Sequence, residues 1–365
     1  MSRPLIVLSA GGTGGHLFPA ESLAVALRKT DVTLVLMTDG RVDGISGSFP
    51  ADDIIRVTSA SPSGGSVVGK AAAALKLGMG TLGAIPALRR LKPDAVVGFG
   101  GYPTVPPLLA ASLIGIPTVV HEQNGVMGRA NRLLARRASL IATGFPEVRS
   151  IPPGIKARIV YTGNPVRPAV LEAARTPYPP HEANGILRLL VFGGSQGARV
   201  MSEIVPPALT LLPAEDRKRL HVVQQARAED SERVQTVYRE LGITAEIQLF
   251  FKNLPQLMAE SHLVIARSGA STVAELGVLG RPSILVPLPS SLDQDQAANA
   301  GYLADAGAAV VIRQADFSPE RLASEIRQRL GNPVLLTEAA AAAKKTGVLD
   351  AGDRLANAIL SHLLA

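Results

Sequence analysis

Short apolar runs alternate along this chain with segments whose apolar residues recur every three or four positions. LIVL (5–8), VTLVLM (32–37), AVVGF (95–99), TVVH (118–121) and LIAT (140–143) carry no Lys, Arg, Asp or Glu. Runs this short and continuous predict strands buried on both faces of a parallel sheet. Between the first two, Leu17, Ala20, Leu23, Ala24 and Leu27 share one helical face, and Pro19 is tolerated near the helix start. The second half repeats the scheme, with strands at LRLLVF (187–192), HVVQ (221–224), IQLF (247–250), HLVIA (262–266), SILVP (283–287) and AVVI (309–312). Such alternation implies an α/β chain of two doubly wound units. The Pro-rich stretch from Asn164 to Pro180 reads as the linker. The expected domains are 1–164, joined by a last helix at about 350–365, and 165–349.

Composition narrows the picture. The 365 residues, 47% hydrophobic and 18% charged, fit two packed domains, and zero cysteines exclude a disulfide scaffold, a Cys-ligated metal and a Cys nucleophile. The N-terminal apolar run is too short for an export signal. An uncharged span between Asp94 and His121 is long enough for a bilayer, but its glycines and prolines favour a strand, a loop and a buried helix. Charge is uneven: residues 1–164 carry a net +8 and residues 165–365 a net −1. No acid lies between Arg56 and Asp94, where Lys70, Lys76, Arg89, Arg90 and Lys92 fall. None lies between Glu122 and Glu147, where Arg129, Arg132, Arg136 and Arg137 fall. A basic face of this kind suits a polyanion. With 4% aromatics and no Trp there are few stacking platforms, so a nucleic-acid partner is not expected.

Glycine loops follow the first strand of each half: GGTGGH (11–16) and GGSQGAR (193–199). A third, GFGGYPT (98–104), follows AVV. In a doubly wound fold such loops lie at the carboxyl ends of strands, where backbone N–H groups and a helix start favour phosphate. Neither of the first two has the GK[ST] of a Walker A loop. Gly12-Thr13-Gly14 begins a dinucleotide fingerprint, but position 17 is Leu; Asp39 after the second strand keeps an NAD-dependent oxidoreductase as an alternative. In RSGASTVAEL (267–276), Glu275 sits in the first two turns of a helix, where its carboxylate can bind a ribose diol or simply face the helix dipole. The amide-rich LDQDQAANAGYL (292–303) suits sugar hydroxyls. Its Asp293-Gln294-Asp295 is a lone DxD, so metal ligation is not expected.

Together GGTGGH, HEQNG (121–125), GNPVR (163–167), GGSQGAR and RSGASTVAE (267–275) resemble the MurG family, in the family's order through both halves. The resemblance implies a GT-B fold of two Rossmann-like domains with a cleft between them. It implies inverting transfer of N-acetylglucosamine (GlcNAc) from UDP-GlcNAc to the C4 hydroxyl of MurNAc in undecaprenyl-pyrophosphoryl-MurNAc-pentapeptide. This lipid I to lipid II step is the last cytoplasmic one in peptidoglycan precursor synthesis. The same fold leaves a UDP-GlcNAc epimerase as a further alternative. By motif position, Thr13, Gly14 and Gly15 resemble donor contacts and Asn124 the residue that reaches GlcNAc. Arg167 and Ser195 resemble nucleotide and phosphate contacts. Ala270, Ser271, Thr272, Val273, Ala274 and Glu275 match the helix start that holds the donor. Phe251 falls where backbone recognises uracil, and Gln296 matches a sugar-binding glutamine, with Gln294 its neighbouring alternative. The family places the enzyme peripherally on the cytoplasmic face of the plasma membrane, with cell-wall and division machinery as partners and no cofactor.

Two residues are candidates for the base that takes the acceptor proton: His16 behind the first loop, and Glu122 of HEQNG. The basic first half gains a reason as well. Residues 67–92 mix Leu75, Met79 and Leu82 with Lys70, Lys76, Arg89 and Arg90, a composition for an interfacial helix or hairpin on anionic lipid. Arg129, Arg132 and Arg136 share one helical face and extend that patch.

Overall fold

The structure, a computed structural model, describes residues 3–11, 14–39, 49–59, 67–194 and 197–363. The chain forms two compact units, Met1–Arg167 with Val348–Ala365, and Pro168–Gly347.

The first unit is built on seven strands: β1 Leu5–Ser9, β2 Thr33–Thr38, β3 Asp53–Arg56, β4 Ala95–Gly98, β5 Thr118–Glu122, β6 Leu140–Thr143 and β7 Arg158–Tyr161. Their order is β3-β2-β1-β4-β5-β6-β7, and all are parallel. The period of two along β1 divides its side chains between two cores. Ile6 and Leu8 pack with Leu17, Leu23 and Leu27 of helix Gly14–Leu27, while Val7 packs on the other face with Leu88, Leu108 and Leu134. The far end of the chain completes the first of these cores, where Leu355, Ala356 and Ile359 of helix Ala351–Leu363 are buried.

The second unit has β8 Leu187–Phe192, β9 Leu220–Gln225, β10 Thr244–Gln248, β11 Leu263–Ala266, β12 Ser283–Leu285 and β13 Ala309–Val311. The order is β10-β9-β8-β11-β12-β13, again all parallel. In each sheet the winding reverses once, between β1 and β4 and between β8 and β11. Those are the switch points at which open α/β sheets bind ligands.

The structure departs from the sequence reading in three places. Edge strands β3 and β7 carry no continuous apolar run, because each is largely exposed or half-buried. The expected strand at 247–250 lies instead at Thr244–Gln248, and Leu249 and Phe250 leave the sheet exposed. The stretch read as linker contains helix Pro168–Ala173. As expected, the uncharged span after Asp94 forms β4, the largely buried helix Val105–Leu113 and β5.

Candidate functional site

At the first switch point three loops converge. Thr13 lies outside the described residues; Gly14 and Gly15 open the helix Gly14–Leu27. One turn in, His16 lies against the third loop. Gly100 and Gly101 have φ of 82° and 72°, and a Cβ on Gly101 would stand 3.1 Å from His16 Cδ2. Glycine is therefore needed there twice over, for its left-handed backbone and for the approach of the imidazole. A Cβ on Gly100 would also stand 3.3 Å from the Asn131 amide nitrogen. His16 on the helix after β1 and Asn131 on the helix after β5 thus meet at Gly100 in the loop after β4. Asp39, at the end of β2, is buried, and Ser59 Oγ donates to its Oδ2 at 3.3 Å.

The HEQNG segment ends β5, and its first two residues are interior. Glu122 is 1% exposed. Its Oε1 accepts from the Asn124 backbone N–H at 2.8 Å and from Asn124 Nδ2 at 3.2 Å. Its Oε2 accepts from the Gly128 N–H at 2.9 Å and from Asn131 Nδ2 at 2.8 Å. Burial pushes the carboxyl pKa up, and the four donors pull against that shift. A carboxylate enclosed by four donors ties a loop together and is not open to a substrate hydroxyl, so the structure corrects the expectation of Glu122 as a base. His121 is equally enclosed. Its Nε2–H donates to the Gly163 carbonyl at 3.3 Å, and Gln123 Nε2 donates to its Nδ1 at 3.0 Å. Burial holds its pKa down to about 4, so the ring is neutral. Asn124 is half-buried in this braced loop.

Elsewhere in the first unit, the Arg167 guanidinium lies 4.7 Å from the centre of the Phe18 ring. It also bears on Glu21, whose pKa is raised by partial burial and lowered by Arg167. Val67–Leu91 is one helix. Ala84 and Leu88 face the core, while Leu75, Met79 and Leu82 are 67%, 62% and 68% exposed. Lys76, Arg89 and Arg90 are exposed beside them; the Lys70 side chain lies outside the described residues. Residues Ala71–Leu91 are long and apolar enough to cross a membrane, with mean hydropathy 1.4. One buried face and one exposed face describe a helix lying on a surface better than one crossing it. Arg129 and Arg136 are exposed at the ends of the neighbouring short helix Arg129–Ala135, with Arg132 half-buried between them.

In the second unit the glycine loop after β8 folds back on itself. A Cβ on Gly193 would meet Ala198 N at 2.1 Å, so only glycine fits. Gly193 N–H donates to Gln225 Oε1 at 3.0 Å, tying the loop to the end of β9. Ser195 lies outside the described residues. Helix Ala270–Leu279 starts behind β11 with Gly269 as its cap and no side-chain capping bond. Ala270, Ser271, Thr272 and Ala274 are half-buried on its first turns, and Val273 and Glu275 are buried. Gln296 Oε1 accepts from the Leu288 N–H at 3.0 Å, and its carbonyl accepts from Ser268 Oγ at 2.8 Å. That fixes Gln296 beside the helix start, whereas Gln294 is exposed, with a left-handed φ of 56°. Of the DxD pair, Asp295 accepts the Gln296 N–H at 2.7 Å. Phe251 is buried and Phe250 is 60% exposed.

Residues 6–143 match the glycosyltransferase family 28 N-terminal domain, and residues 188–355 match the C-terminal domain of the same family. A relative from Methylobacterium sp. (strain 4-46) is 60% identical over 366 residues, spanning 100% of this chain and 98% of the relative. Its name is UDP-N-acetylglucosamine--N-acetylmuramyl-(pentapeptide) pyrophosphoryl-undecaprenol N-acetylglucosamine transferase. The chain belongs to the MurG family. The crystal structure of Acinetobacter baumannii MurG matches it with a TM-score of 0.78 at 31% identity, over 98% of this chain and 100% of that one. A UDP-N-acetylglucosamine 2-epimerase structure from Listeria monocytogenes, described as putative, has a TM-score of 0.68 at 17% identity, over 99% and 97%, and shares the fold alone.

Membership makes this chain a glycosyltransferase of GT-B type, with two Rossmann-like domains. Read against the MurG motifs, the structure brings Gly14, Gly15, His16 and Asn124 to the carboxyl edge of the first sheet. It brings the glycine loop, Ala270–Glu275 and Gln296 to that of the second. Sequence reasoning missed four residues of these edges. Asn131 is 2% exposed and braces Glu122; its signal was a polar residue in the apolar stripe of a short helix. Gln225 and Arg227 follow a strand rather than a glycine motif, and Phe250 was counted as strand.

Proposed function

We propose that this chain transfers GlcNAc from UDP-GlcNAc to the C4 hydroxyl of MurNAc in undecaprenyl-pyrophosphoryl-MurNAc-pentapeptide, converting lipid I to lipid II in peptidoglycan synthesis. One observation carries the reading: end-to-end identity of 60% to a relative named for that transfer. Neither a nicotinamide oxidoreductase nor an epimerase has support of that kind, since the epimerase likeness rests on 17% identity.

The chemistry is one in-line displacement. The C4 hydroxyl oxygen attacks the anomeric carbon from the face opposite UDP. The anomeric C–O electron pair passes to the phosphate oxygen, and the configuration inverts. His16, cradled by Gly100 and Gly101, takes the hydroxyl proton; a positioned base of this kind contributes about 10²–10⁴ in rate. Asn124 meets the sugar. Glu275 holds the ribose, and Gln296 donates to the sugar from the amide end not turned toward Leu288. The exposed ring of Phe250 offers the uracil a flat apolar face beside the backbone of Phe251. The glycine loop after β8 and the start of the helix that follows it meet the charge on departing UDP, and no cofactor is invoked.

The acceptor is lipid-linked, so the enzyme works at a membrane. Leu75, Met79 and Leu82 enter the headgroup region while Lys76, Arg89 and Arg90 meet anionic lipid, with Arg129 and Arg136 extending the patch. These features support a peripheral position on the cytoplasmic face of the plasma membrane, within reach of cell-wall and division machinery.

The test is transfer of radiolabelled GlcNAc from UDP-GlcNAc, with and without the lipid-linked acceptor. The expected result is label in the lipid phase only with acceptor, reduced at least a hundredfold in His16→Ala and in Glu275→Ala. Binding of UDP-GlcNAc without transfer would point to an epimerase or a binding role.

A further inference from the structure

The second unit must hold a nucleoside diphosphate, yet its sequence is close to neutral. The proposed phosphate site is the glycine loop after β8, where backbone N–H groups supply partial charges only. A diphosphate that gains negative charge as the sugar leaves calls for a full cation at the same place.

Arg227 stands there. It lies two residues beyond β9, the strand next to β8, so it rises from the same edge of the sheet as the loop. Its side chain lies across Gly197: a Cβ on that glycine would meet Arg227 Cγ at 3.3 Å. Gly197 has φ of 69°, and its carbonyl accepts from Arg227 Nη2 at 3.2 Å. The Nε atom is buried without a hydrogen-bond partner among the described residues. The nearest carboxylate, Glu229, is 3.9 Å away and 63% exposed, a pair of little strength. Arg199, the other guanidinium beside the loop, is taken by Glu203 at 2.9 Å. Arg227 is thus anchored to the loop at one nitrogen and held over it by packing, and among the described residues its charge is met only by the loose, exposed Glu229.

We infer that Arg227 is a donor-binding residue whose guanidinium contacts the diphosphate of the nucleotide, in the bound donor and in departing UDP. The inference rests on the donor reading given under Proposed function. The resemblance carries over no such role, because Arg227 lies outside its motifs.

Calorimetric titration of the full-length protein with UDP and with uridine tests it, on the unsubstituted protein and on Arg227→Ala and Arg227→Lys. The expected result is a roughly ten- to hundredfold loss of UDP affinity in Arg227→Ala, the scale of a charge-assisted hydrogen bond, with uridine binding within about twofold. Arg227→Lys, which keeps the charge but not the fork, should recover part of the loss. Equal losses for UDP and uridine would show that the arginine only shapes the loop and would overturn the inference, as would unchanged UDP binding. An unsubstituted protein that binds neither compound would overturn the donor reading itself, a result distinct from both.

Discussion

At the scale of single residues, the HEQNG segment shows how a functional motif divides its labour. Asn124 is half-buried at the surface while His121 and Glu122 are interior, His121 bonded to Gly163 from 42 positions away and Glu122 to donors no more than 9 positions away. Glu122→Gln keeps the shape but replaces an acceptor oxygen with a donor, so two of the four N–H groups lose their partner. A loss of about 1–3 kcal/mol in urea unfolding is expected, together with a weaker GlcNAc transfer. Acid should act through His121. Its folded pKa of about 4 lies below the ordinary 6.5, so the unfolded chain takes up the proton first. Stability is therefore constant above pH 6.5 and falls toward pH 4, by on the order of 3 kcal/mol for this fully buried ring. His262, also held down to about 4, adds to the fall, whereas Glu122, with its raised pKa, offsets part of it. Unfolding free energies at pH 7 and pH 5 should show the drop, and His121→Gln should shrink it; an identical drop in the variant would remove His121 from the account. Residue identities made this motif legible, but inward and outward directions were not, because neighbours on a strand end differ only by what packs around them.

At the scale of elements, helix Val67–Leu91 combines two incompatible surfaces. One face closes the core through Ala84 and Leu88, and the other exposes three large apolar side chains at i, i+4 and i+7. Its mixed composition was visible in the sequence, but which residues faced solvent depended on helix Val105–Leu113 and the sheet beneath. Replacing Leu75, Met79 and Leu82 together by Ser should reduce cosedimentation with anionic vesicles by more than tenfold, while UDP binding in solution stays the same. Reversing charge at Lys76 and Arg89 should weaken the same binding in a salt-dependent way, by about 1 kcal/mol or more per site. Vesicle binding that ignores both sets of changes would assign the membrane contact to another surface.

At the scale of the whole molecule, the chain leaves its first unit at Arg167 and returns to it at Val348. The returning helix Ala351–Leu363 covers residues laid down some 330 positions earlier, and Lys29 pairs with Asp353 at 2.7 Å. Leu355→Ala should therefore destabilise the N-terminal unit by about 2–5 kcal/mol in urea unfolding, despite its distance in sequence. In the second unit, buried Arg281 is bound by backbone carbonyls of Met258, Ala259, Leu279, Gly280, Thr176 and Pro177. It fastens the segment after helix Pro168–Ala173 to two helix C-termini, where a cation is favoured. Arg281→Met should cost about 3 kcal/mol or more, since it strands those carbonyls in the interior.

The sequence by itself determined the alternation of buried strands and helices, the pair of doubly wound units and the glycine loops at their first strands. Each depends on interactions among neighbours in the chain: continuous apolar runs for parallel strands, and glycine where the backbone must turn sharply. Only the tertiary structure decided that Glu122 braces a loop, that the helix at 67–91 keeps an exposed apolar face, and that Arg227 lies across Gly197. Those outcomes depend on which groups are left with partners after distant segments pack, and spacing along the chain does not encode that.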